Sequence, residues 1–123
     1  MLGIIGAMDQ EVAEIKNQMT DVTVERAAAM DFYRGKLKGK DVVVVRSGIG
    51  KVNAAVCTQI LVDRYGVDAV VNTGIAGSLR NEINIGDIVL ATDTLQHDMD
   101  ATEFGYPKGQ VPRMETLSFP ADE

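Results

Sequence analysis

The sequence has little of what secreted, membrane and nucleic-acid-binding proteins depend on. Cys57 is the single cysteine, so no disulfide can form within the chain, and there is no tryptophan. Asp9 and Glu11 interrupt the first apolar run, so we do not expect this segment to be a signal peptide. The longest uncharged apolar stretch is well short of the ~20 residues that a membrane span needs. These absences predict a protein of the reducing cytoplasm with no membrane partner.

Positive charge is also scarce. Twelve Lys and Arg residues stand against 18 Asp and Glu residues, giving a net charge of −6. Proteins that bind nucleic acids carry a stripe of basic residues to contact the phosphates, and none is visible here. We therefore predict no nucleic-acid partner.

What remains is ordinary globular composition. The chain has 123 residues, 46% of them hydrophobic and 24% charged, which is the length and balance of one domain with a packed core. We predict a single domain over residues 1–123. Within it, residues 98–123 lose hydrophobic periodicity and form an extended loop, long enough to suggest a functional role.

Three runs of strand-type residues end in a glycine-rich turn. They are LGIIGAMDQE at residues 2–11, DVVVVRSGIGKVNAA at 41–55 and DAVVNTGIAGSL at 68–79. Glycine after a buried strand permits positive φ or close approach of a ligand. In open α/β sheets, ligands lie beyond the carboxyl ends of the strands. The three turns therefore predict a small-molecule site built from several strand ends.

Buried strands alternate with helices along the chain. Helices are predicted from Asp9 and over 51–65, the second with a stripe formed by Val52, Val56 and neighbouring apolar residues. Segments 22–27 and 31–37 are predicted as an antiparallel pair, and 68–73 and 88–92 as further strands. This order indicates a three-layer α/β/α domain with a mixed central sheet.

Few residues suggest chemistry by themselves. Glu11 fits a helix N-terminus, where acidic side chains favour the helix dipole, and it equally fits a carboxylate that faces the strand ends and deprotonates a water. His97, Asp98 and Asp100 cluster, but a single histidine without partners at ligand spacing predicts hydrogen bonding rather than a metal site. Cys57, in an apolar helical stretch, is predicted to be buried and not a nucleophile.

Five ordered segments carry a family resemblance. They are GIIGAMDQEV at 3–12, SGIGKVNAA at 47–55, NTGIAGSL at 72–79, IGDIV at 85–89 and HDMDATEFGYPKGQVP at 97–112. Together they resemble the 5′-methylthioadenosine/S-adenosylhomocysteine nucleosidases of the nucleoside phosphorylase superfamily. The resemblance implies a nucleoside phosphorylase-like fold and hydrolysis of the N-glycosidic bond to adenine and a thioribose, in methionine salvage. It implies no cofactor and no metal.

The resemblance also implies site residues. Glu11 would activate the water, while Met8 and Ile49 would line the pocket for the ribose and its 5′-thio group. Ala76 and Gly77 would form the floor beneath the nucleoside. The loop aromatics and proline would cross a homodimer interface to close the neighbour's alkylthio pocket; these residues are Phe104, Tyr106 and Pro112.

Two departures from the family pattern lead to further expectations. Where this chain has Ile75, the family often has serine, which predicts a missing hydrogen bond to the catalytic carboxylate. Family members are about twice as long, and their general acid, ribose-binding glutamate and adenine-stacking aromatic lie in the second half. The chain is therefore expected to be an N-terminal half, truncated after the first half of the fold, with little or no activity alone.

Two alternatives stay open. A phosphate-dependent nucleoside phosphorylase would need cationic or amide donors near the first turn, where Glu11 lies instead. A non-catalytic remnant would keep the oligomer surface or nucleoside binding without turnover. Binding and phosphate dependence separate these from the nucleosidase.

Overall fold

The computed structural model describes residues 1–122, so Glu123 lies outside the described residues. The chain groups into two compact units, residues 1–77 and the part from Ser78 onward. No helix of the described part is both long and apolar enough to cross a bilayer.

The first unit contains one five-stranded sheet and two helices. In chain order these are β1 (Leu2–Gly6), α1 (Asp9–Asn17), β2 (Thr20–Ala27), β3 (Met30–Leu37), β4 (Lys40–Arg46), α2 (Lys51–Tyr65) and β5 (Ala69–Asn72). The sheet order is β2-β3-β4-β1-β5. β1 is parallel to β4 and β5, while β2, β3 and β4 are antiparallel neighbours. The predicted mixed sheet and antiparallel pair are confirmed.

The helices cover opposite faces of the sheet. Successive strand residues point to opposite faces, so β4 sends Val42 and Val44 to the α1 side and Val43 and Val45 to the α2 side. All four valines are at most 2% exposed. The unbroken valine run is therefore a strand covered on both faces, and the unit has three layers.

The predicted ends of α2 are confirmed, but the predicted apolar stripe is not the face that the helix buries. The helix ends where Gly66 takes the left-handed conformation with φ of 60°. Its buried residues are Cys57, Leu61 and Tyr65, whereas Val52 and Val56 of the predicted stripe are exposed. Tyr65 stacks on Phe32 of β3 with ring centroids 5.2 Å apart.

The second unit has little regular structure. It contains β6 (Asp93–Thr94) and β7 (Phe119–Pro120), which pair antiparallel, and a 3₁₀ turn at Thr102–Phe104. The strand predicted over 88–92 is wrong, because residues 88–91 join no ladder. The apolar side chains of this stretch are exposed, Ile88 by 90% and Leu90 by 87%.

Candidate active site

The three glycine turns meet at one edge of the sheet. β1 lies between β4 and β5, and parallel strands bring their carboxyl ends to the same edge. The pairing continues just past the strands: the Ser47 N–H donates to the Gly6 carbonyl at 2.9 Å, and the Thr73 N–H donates to the Ile5 carbonyl at 2.8 Å. The predicted convergence of the turns is confirmed.

Glu11 is held at this edge by main-chain amides from two of the turns. Its Oε2 accepts the Met8 N–H at 2.9 Å, and its Oε1 accepts the Ile75 N–H at 3.3 Å. The first bond is half of a capping box, in which the third helical residue reaches back to the N-cap amide. Helix capping accounts for that bond but not for the second one, which joins α1 to the turn after β5.

These amides make Glu11 a stronger acid. The pKa of Glu11 is lowered, mainly because the Met8 amide stabilises the ionised form. Partial desolvation raises the pKa in opposition, whereas the Ile75 and Ala7 amides lower it further. The carboxylate is therefore ionised near neutral pH. In that state it can accept a proton from a water but cannot donate one.

The main-chain N–H of Ile75 binds Glu11, and this bond does not depend on the side chain at position 75. The isoleucine side chain has no donor, so the additional hydroxyl bond that serine often provides in the resembling family stays an expected loss. The Ile75 side chain itself is 85% exposed. Sequence reasoning missed this contact because a main-chain donor leaves no mark in the sequence.

The cations beside the first turn are engaged by Asp9. Arg46 Nη1 lies 3.4 Å from Asp9 Oδ2, and Lys16 Nζ lies 3.8 Å from Asp9 Oδ1. An anion arriving here would meet Asp9 and Glu11 as well as these two cations. The arrangement favours a neutral nucleophile over a phosphate.

The second turn is shaped by positive φ and by one asparagine. Gly48 and Gly50 have φ of 86° and 99°, which glycine adopts without strain. The Asn53 side chain donates to the Ile49 carbonyl at 2.7 Å and so fixes the turn between them. The Ile49 side chain is exposed, and its role toward a ligand stays a prediction. Asn53 was not identified from the sequence; its place in the first turn of α2 is the only signal for it.

The remaining predicted residues fall into two groups. Met8 is half-buried at the N-cap of α1, and Ala76 and Gly77 are exposed in the third turn. Phe104, Tyr106 and Pro112 belong to the second unit. Their roles toward a ligand stay predictions.

The loop of the second unit is ordered by its own contacts. Tyr106 Oη accepts the N–H of Arg113 at 3.2 Å, and Phe104, which is 80% exposed, ends the 3₁₀ turn. Asp100 accepts the Thr102 hydroxyl at 2.7 Å and its N–H at 3.1 Å, which lowers the pKa of Asp100. Within residues 1–122, no three His, Cys, Asp or Glu side chains come together as a metal site would require.

Comparison with known proteins places the chain in a family. The family model of the Phosphorylase superfamily matches residues 1–123. The chain is 46% identical over 123 residues to a 5′-methylthioadenosine/S-adenosylhomocysteine nucleosidase of Staphylococcus haemolyticus, covering 100% of this chain and 54% of the relative. The chain thus spans about half the length of the curated relatives it matches.

Solved structures agree. A nucleosidase of the same description from Colwellia psychrerythraea, in complex with adenine, superposes with a TM-score of 0.93 at 49% identity, over 97% of this chain and 49% of that one. One from Neisseria meningitidis, in complex with methylthio-immucillin-A, gives 0.94 at 42% identity, over 98% and 52%. The predicted nucleoside phosphorylase-like fold is confirmed.

Proposed function

The chain belongs to the phosphorylase superfamily, and from that membership we propose that its strand-end site serves to hydrolyse the N-glycosidic bond of 5′-methylthioadenosine and S-adenosylhomocysteine. The observation that carries the proposal is the Glu11 carboxylate, ionised and fixed between the first and third turns. The names of the relatives and the ligands of the solved structures support the substrate class. The proposed setting is methionine salvage in the cytoplasm.

The reaction assigns Glu11 the role of general base. A water beside the carboxylate attacks the anomeric carbon of the ribose, its proton passes to Glu11, and the bond from that carbon to the adenine nitrogen breaks. Met8 and Ile49 would line the ribose and thio end, with Ala76 and Gly77 beneath the nucleoside. The leaving adenine needs a proton from a general acid, and the family resemblance assigns none among the 123 residues.

The family resemblance places the general acid outside residues 1–123, which sets the rate expected of these residues assayed by themselves. General acid catalysis contributes about 10²–10⁴-fold, so their turnover should be slower than that of a site with both groups by roughly that factor. Orientation by ribose and base contacts contributes further. We expect slow adenine release that depends on Glu11.

Adenine release from methylthioadenosine, with and without phosphate, tests the proposal. The expected result is slow release, equal in both buffers and abolished by Glu11→Gln. Release that requires phosphate would instead establish a phosphorylase. Binding of a thioadenosine ligand by calorimetry without any release would establish a non-catalytic binding protein.

We also propose a homodimer in which the loop of one subunit closes the neighbour's alkylthio pocket. The support is the exposed Phe104 ring in a loop that its own hydrogen bonds keep ordered. Sedimentation should show a dimer, and Phe104→Ala should weaken thioadenosine binding while leaving the dimer intact. A monomeric chain, or unchanged affinity in that variant, would refute this arrangement.

A further inference from the structure

Glu11 lies unusually close to the main chain of the third turn. If Gly74 carried a Cβ atom, that atom would be 2.8 Å from Glu11 Oε1 and 3.3 Å from its Cδ. Side-chain carbons essentially never approach an oxygen so closely. The carboxylate therefore occupies space that any other residue at position 74 would fill.

Backbone conformation does not explain this glycine. The φ angle of Gly74 is not positive, so the left-handed conformation that favours glycine is not the reason for glycine here. Glycine is needed at position 74 because a side chain there would occupy the space of the Glu11 carboxylate.

Two neighbouring glycines give useful contrasts. A Cβ on Gly6 would lie 2.7 Å from Cγ1 of Val12, a fully buried core residue, so Gly6 lets α1 pack against the sheet. A Cβ on Gly77 would meet nothing within 4 Å. Of the three, only Gly74 has the carboxylate itself as its neighbour.

We propose that Gly74 is a positioning residue: its missing side chain lets the Glu11 carboxylate reach the Ile75 N–H and hold one fixed direction. One oxygen is bonded to Met8 and the other to Ile75, so rotation of the carboxylate would break at least one of these bonds. With only the Met8 bond it could turn, and a water held by it would turn too. This deepens the proposed function and rests on it for the catalytic consequence, though the positioning itself does not.

The test is Gly74→Ala, with the Glu11 carboxyl titrated by NMR. Because the Ile75 bond contributes to the lowered pKa of Glu11, its loss should raise that pKa toward the ordinary value. The free energy of unfolding should change little, since the displaced group is the end of a flexible side chain. Gly77→Ala is the matched control and should leave the Glu11 pKa unchanged. The charged groups beside the first turn, Asp9 with Arg46 and Lys16, are the same in both variants.

Two results would overturn the inference. One is an unchanged Glu11 pKa in folded Gly74→Ala, with or without lower stability. The other needs no variant: in the unmodified chain, the Ile75 amide proton should shift with the same midpoint as the Glu11 carboxyl, and a flat response would refute the contact. This second measurement decides the matter if Gly74→Ala does not fold.

Neither readout involves a substrate, so the two proposals can fail separately. A pKa rise in Gly74→Ala together with no adenine release from the unmodified chain leaves the positioning role standing and refutes hydrolysis by this chain. If adenine is released and the pKa does not move, the positioning role alone is refuted. Where both hold, Gly74→Ala should lower kcat for adenine release more than it raises KM, because the water and not the nucleoside loses its orientation.

Discussion

The two oxygens of the Glu11 carboxylate make hydrogen bonds to two different parts of the fold. Its Oε2 caps α1 through the Met8 amide, and its Oε1 ties that helix to the turn after β5. Both bonds favour the ionised form over the protonated one. The group that would activate water therefore also stabilises the fold in a pH-dependent way.

Glu11→Gln should reveal that dependence. Because the pKa of Glu11 is lower in the folded chain than its ordinary value of 4.5, the carboxylate stabilises the fold fully above pH 4.5, and this contribution is lost as the pH falls through the folded value. Urea unfolding from pH 7 to 3 should show the wild type losing its advantage over Glu11→Gln toward the acid end. A difference that stays constant with pH would contradict the lowered pKa.

The Cys57 thiol should not react with thiol reagents in the folded chain. Cys57 is fully buried, and burial raises the pKa of its thiol to about 11, so almost no thiolate exists at pH 8. Ellman's reagent should react with Cys57 only after unfolding in urea, releasing one equivalent of thiolate. Fast labelling of the folded chain would show that this part of α2 opens readily.

The helix α2 shows how one element can carry two apolar faces. Cys57, Leu61 and Tyr65 recur every four residues and pack on the sheet, while Val52 and Val56 lie on the exposed side. The periodicity of either set fits a helix, so the sequence predicts the helix but not its rotation.

Leu61→Ala and Val52→Ala should separate the two faces. Removing the fully buried Leu61 side chain leaves a cavity against the sheet and should lower the free energy of unfolding by about 2–5 kcal/mol. Val52 is 78% exposed, so its change should stay within about 0.5 kcal/mol. Urea denaturation at several protein concentrations measures both, and equal losses would contradict the assigned rotation.

The strands show where sequence reasoning succeeds and fails. Val42 to Val45 predict a buried strand because four β-branched residues without polar alternation fit only a covered position. Residues 88–91 have the same kind of composition but no ladder. A strand exists through its hydrogen-bonding partner, and composition cannot specify the partner. In the site, the sequence indicates Glu11 and the turns, but not the Ile75 amide or Asn53, whose roles arise from folded geometry.

Order is distributed unevenly along the described chain. In residues 1–77, five strands form one sheet, and a helix packs over a hydrophobic core on each of its faces. The part from Ser78 onward is built mainly of turns and two-residue strands. Opening free energies should differ accordingly, since protection follows burial and ladder bonding.

Hydrogen exchange should show this contrast directly. Amides of residues 42–45 in β4 are bonded within a buried ladder and should exchange only on extensive unfolding. Amides of residues 88–91 lie outside any ladder among highly exposed side chains and should exchange within seconds. Mass spectrometry of peptides from the two segments compares them. Protection of 88–91 equal to that of β4 would mean that a partner covers this stretch.

The hydrogen bond between Glu11 and Ile75 cannot form until late in the synthesis of this part of the chain. The two residues are 64 positions apart, and a ribosome adding about 5–20 residues per second needs roughly 3–13 s to make the second after the first. Until then β1 lacks β5, and the carboxylate of the nascent chain has only its local bond within α1. Non-local contacts of this kind form late. The Glu11 carboxylate would therefore gain its second hydrogen bond only after β1 has both of its neighbours, β4 and β5, so a partly synthesised chain would not yet hold this side chain in its final direction.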